Sequence, residues 1–107
     1  MKQFLIESYE IRLGETFETA TVHGKTGKSS AIIRCYGESN GESCSLEAVF
    51  LKEGSPVLTA RKDQDERYVW IYLKPHLLPV WIDVLRNEQQ VFAQISDDVE
   101  KSQIFTK

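Results

Sequence analysis

The chain is poor in the residues that carry catalysis, cross-linking and membrane insertion. It has only two cysteines, Cys35 and Cys44, too few for a disulfide scaffold, so both are expected as reduced, buried thiols. With His23 and His76 they are the only soft metal ligands, and none is spaced as a close pair such as Cys-x₂-Cys. No metal and no cofactor is expected. No apolar run approaches the ~20 residues that span a bilayer. The first residues, Met1 to Glu7, reach a carboxylate after three apolar side chains, too few for a signal-peptide core. The expectation is a cytoplasmic protein without a membrane partner. Three prolines and six glycines, with no repeat, exclude collagen-like and low-complexity architectures.

Charge of one sign is also missing. Thirteen basic residues face sixteen acidic ones, for a net charge of −3 at pH 7, and the signs are interspersed along the chain. Proteins that neutralise a phosphate backbone carry a basic excess or stripe, so nucleic acid is a disfavoured partner. What remains is an ordinary balance of 41% hydrophobic and 27% charged residues over 107 positions, which fits one globular domain over 1–107.

Short β-prone runs separated by turn signals give the fold class. Strands are expected near 2–13, 16–22, 30–36, 43–51, 57–62, 67–74 and 89–96, with 99–107 an edge strand or a frayed tail. The reading is a mainly β domain: an antiparallel meander of about seven strands, curling toward a small barrel or sandwich, with α+β as the alternative. Leu77, Trp81 and Leu85, with Leu78 and Ile82 beside them, recur at helical spacing, and Pro79 suits a first turn. They predict a short helix over 76–86, against a strand reading that rests on Val80, Ile82 and Val84.

Asn40-Gly41 is a strong hairpin signal, because a type I′ turn needs two residues at positive φ. Centring a hairpin there pairs Arg34 with Glu47, Ile32 with Val49 and Cys35 with Leu46. A loop at Asp63 to Glu66 pairs Ala60 with Val69, Leu58 with Ile71 and Arg61 with Tyr68. A loop around Gly54 then pairs Ala48 with Ala60 and Glu47 with Arg61. One face of this meander is continuously apolar: Ala31, Ile33, Cys35, Cys44, Leu46, Ala48, Phe50, Leu58, Ala60, Val69, Ile71 and Leu73. The other carries a polar row of Arg34, Glu47, Arg61 and Tyr68 beside an apolar half of Ile32, Val49, Leu51, Val57, Trp70 and Tyr72. The helix is expected to cover Trp70 and Tyr72. In the first strand, Phe4 and Ile6 share one parity while Tyr9, Ile11 and Leu13 share the other, so a bulge is expected near Glu7-Ser8.

Motifs for chemistry are missing. Gly24-Lys25-Thr26-Gly27-Lys28-Ser29 resembles a phosphate loop, but the required first glycine is replaced by Val22, and strand rather than helix follows. No serine lies in a nucleophile-elbow context, and neither histidine is placed beside a cysteine. The protein is therefore read as a non-enzyme. The feature with functional promise is the aromatic stripe Tyr68, Trp70, Tyr72 beside Arg34 and Arg61, residue types that dominate protein interfaces. These five are the candidate partner-binding residues of a protein-interaction, inhibitor or accessory module. Two alternatives stand beside it: a small apolar ligand inside a β-barrel, with Ala31, Ala48 and Ala60 leaving room, and single-strand nucleic acid stacked on the stripe. Homo-oligomerisation is left open.

Overall fold

The structure, a computed structural model, describes residues 2–22 and 24–106, with no side-chain detail at 19–22. His23, one of the four soft metal ligands, lies outside the described residues. The fold is mainly β, with one short helix. Seven strands, β1 (Lys2–Val22), β2 (Lys25–Ser39), β3 (Glu42–Leu51), β4 (Arg61–Lys62), β5 (Tyr68–Leu73), β6 (Phe92–Ile95) and β7 (Gln103–Phe105), form one sheet in the order β4-β5-β3-β2-β1-β6-β7. The sheet does not close, so there is no barrel interior. Helix α1 (Leu78–Asn87) follows a 3₁₀ turn at Pro75–Leu77, as its periodicity predicted, with Pro79 in the first turn.

The β2–β3 hairpin forms as read. Asn40 and Gly41 adopt φ of 54° and 79°, and the register pairs Arg34 with Glu47, Ile32 with Val49 and Cys35 with Leu46. The two stretches 2–13 and 16–22 are one continuous strand rather than two. The break expected between them is a register shift between Leu13 and Phe17, and a second shift between Ile6 and Ser8 supplies the expected bulge. Lys25, directly after Gly24, opens β2, so the phosphate-loop-like segment enters a strand and not a helix.

Beyond β3 the meander breaks. Strand β5 pairs directly with β3, and in parallel: Glu47 faces Trp70 and Ala48 faces Ile71. The two-residue β4 lies outside β5, with Arg61 opposite Trp70 and Lys62 opposite Val69. The pairs Ala48–Ala60, Glu47–Arg61, Ala60–Val69, Leu58–Ile71 and Arg61–Tyr68 are therefore not formed. The chain after β3 leaves the sheet plane and returns at its edge, which leaves a slot that β5 fills. Asp63 fixes the β4–β5 turn, its side chain accepting hydrogen bonds from the backbone N–H groups of Arg67 and Tyr68, both at 2.8 Å.

Both faces are covered, but not as expected. Helix α1 packs on the apolar face, where Trp81 meets Phe50 edge-on with ring centroids 5.9 Å apart. Around that pair sit Ala31, Ile33, Cys35, Cys44, Leu46, Ala48, Ala60, Val69, Ile71 and Leu85, all buried. The helix thus lies on the side opposite Trp70 and Tyr72. On the outer face the returning segment does the covering: Leu58 joins Val49 and Leu51 in a second buried cluster, with Ile32 and Tyr72 packed against it. Val57, one residue earlier, is 82% exposed. Among the described residues no helix is long and apolar enough to cross a membrane.

Candidate functional site

The outer face carries a row of side chains that crosses five strands. Strand pairing sets Glu10 of β1 beside Arg34 of β2, Glu47 of β3, Trp70 of β5 and Arg61 of β4. Residues directly opposite on one face stand about 5 Å apart, so the members of the row are neighbours. Arg34 is gripped on both sides: its Nε donates to Glu47, and its second guanidinium nitrogen lies 3.3 Å from Glu10. The Tyr36 hydroxyl donates to the same Glu10 oxygen at 2.8 Å. That hydrogen bond, followed by Arg34 and the nearby Arg12, holds the Glu10 carboxyl below its ordinary range. The bond to Glu47 raises the Arg34 guanidinium above its already high value. Burial and the bond to Glu10 push the Tyr36 phenol up.

At the β4–β5 end the row changes character. The Arg61 guanidinium stacks over the Trp70 ring, 4.6 Å from its centroid. One row along, Arg67 lies 5.3 Å from the Tyr68 ring centroid and donates to the Tyr68 hydroxyl and to the Ser43 carbonyl. Glu42 is 3.6 Å from Arg67, whereas among the described residues no carboxylate lies within ion-pair distance of Arg61. Two arginine–aromatic stacks therefore stand side by side at the sheet edge. Exposed stacks and pairs of this kind stabilise a fold by only ~0–1 kcal/mol each. What they do is fix the direction of guanidinium donors and ring faces before anything binds.

Of the five residues singled out from sequence, Arg61, Tyr68 and Trp70 come together in this cluster. Tyr68 and Trp70 exchange the expected places: Trp70 is in the charged row, and Tyr68 is one row along, opposite Ser45. Arg34 is in the row but already paired with two glutamates. Tyr72 packs with the Val49–Leu51–Leu58 cluster. Glu10, Tyr36 and Arg67 were missed. Registering β1 against β2 would have found the first two. Arg67 has no sequence signal, because it reaches the face from the turn.

The thiols are free and buried. Among the described residues no group of three or more His, Cys, Asp or Glu is arranged to hold a metal ion. No family model, curated protein or solved structure matches the chain.

Proposed function

We propose that this protein is a non-enzymatic binding module, of the inhibitor or accessory kind, that docks a partner protein through the outer face at β4 and β5. The observation that carries the reading is the pair of adjacent stacks, Arg61 on Trp70 and Arg67 on Tyr68. Arginine, tryptophan and tyrosine recur at the energetic centres of protein interfaces because they bury much area and keep a polar handle. Rings and guanidinium groups already held in place lose little freedom on binding. Among the described residues no carboxylate pairs with Arg61, so the complementary partner surface offers one, and its planar donor fork suits a bidentate contact. The net negative charge of the chain disfavours a polyanionic nucleic-acid backbone.

The test is selection from a displayed peptide library on the immobilised protein, followed by calorimetry of the enriched peptides. Sequences rich in Asp and Glu should emerge. Arg61→Ala with Tyr68→Ala should weaken them at least ~10-fold, with the urea midpoint nearly unchanged. Full affinity in that folded double variant overturns the reading. So does tight, salt-sensitive capture of an oligothymidine with no peptide enriched, which would assign the face to single-stranded nucleic acid.

A further inference from the structure

The free edge of β1 is a different surface from the outer face, and its sequence is complementary to itself. Among the described residues β6 pairs with β1 only from Lys2 to Leu5, and the Ile6 amide closes the contact on the Val91 carbonyl. From there on, among the described residues, β1 has β2 on one side and no strand on the other. The stretch from Ser8 to Leu13 is in regular register with β2. Its side chains on the helix side are apolar: Ile11 packs against the core, while Tyr9 is 38% and Leu13 65% exposed. An open edge of this kind is a template for another strand.

We propose that a second copy of this chain occupies that edge, with β1 pairing antiparallel to its symmetry mate about a two-fold axis at Ile11. A two-fold perpendicular to the sheet keeps like faces together, so only registers that pair residues of equal parity are allowed. A centre at Glu10 or at Arg12 sets like charges against each other. A centre at Leu13 sets Ile11 against Glu15. A centre at Ile11 sets Glu10 against Arg12 of the mate, twice, and Tyr9 against Leu13, twice. The charged row then runs on without a break in sign: Arg61, Trp70, Glu47, Arg34, Glu10, and Arg12 of the second copy. On the other side of the sheet the exposed Tyr9 and Leu13 rings and methyls cover one another. The pairing also stops where it must. Residues beyond Gly14 of the mate would reach Val91, and β1 leaves regular register between Leu13 and Phe17. A seam of seven residues is at the small end of specific interfaces, so the dimer forms reversibly and with concentration.

Sedimentation equilibrium should show a reversible shift from 12.3 kDa to twice that mass. Glu10→Arg and Arg12→Glu each place like charges across the seam, and each should be a folded monomer by circular dichroism. Mixed one to one, they restore both opposite-charge pairs and should form a heterodimer, which a folding defect in either variant would not produce. A wild-type mass of 12.3 kDa up to about 1 mM, a dimer that survives both substitutions, or a mixture that stays monomeric overturns the proposal.

Discussion

Gly37 has no room for a methyl group. It faces Ile6 and Cys44 across two ladders, and a Cβ there would stand 2.2 Å from the Leu5 carbonyl oxygen and 2.6 Å from the Phe4 ring. The nearer atom is backbone and cannot rotate away. Gly37→Ala should cost about 1–3 kcal/mol, as overpacking does, seen as a lower urea midpoint. Cys35 shows the opposite condition, a group kept neutral by its surroundings. Burial pushes its thiol up to about 12. The unfolded chain releases that proton near pH 9, so the contribution of Cys35 is complete below that pH and is lost as the pH rises toward 12. Compared with Cys35→Ala, the wild type should lose stability more steeply between pH 9 and 10.5. At pH 8, iodoacetamide should modify neither buried thiol until the protein is unfolded.

Elements were legible in sequence to the extent that alternation decides them. Every residue assigned to the apolar face except Leu58 lies in or against the main core. That success did not depend on getting the neighbours right. Pairing β3 with β5 in parallel, or shifting the β4–β5 register by two residues, leaves every side chain on the same face, because the period is two in either direction. Face assignment and strand order are therefore independent, and only the first is written in the pattern. What decides the order is that Leu58 finds Val49 and Leu51 on the outer face, a contact between segments that no local signal links. The helix was recognised as a helix but assigned to the wrong side, since the apolar outer patch and the apolar inner face both offered it a seat. Substitutions report which side it took. Ile71→Ala, on the apolar face that α1 covers, should cost roughly 2–4 kcal/mol, whereas Trp70→Ala should cost less than about 1.5 kcal/mol, because it loses a half-buried surface stack. Equal losses in urea titrations would place the helix on the outer face.

The whole molecule joins a locally connected half to a half that is not. β1, β2 and β3 follow one another as hairpins, with Asn40-Gly41 setting the second turn. β5 can enter the sheet only beside a completed β3, and β4 closes outside it after the intervening segment has crossed the outer face. Contacts between sequence neighbours cost less chain entropy to form, so the hairpins are expected to be present at the barrier and the crossover to lock afterwards. Leu58 is the side chain that holds the crossover down. Leu58→Ala should therefore accelerate unfolding while leaving the refolding rate almost unchanged, whereas Ile33→Val in β2 should slow refolding. Chevron plots from stopped-flow fluorescence, with Trp70 and Trp81 as reporters, separate the two. A Leu58 variant that refolds slowly would mean that the crossover guides the chain. If it does not, this segment sets how long the native state lasts, and strengthening its hold would lengthen that lifetime without altering how quickly the protein forms.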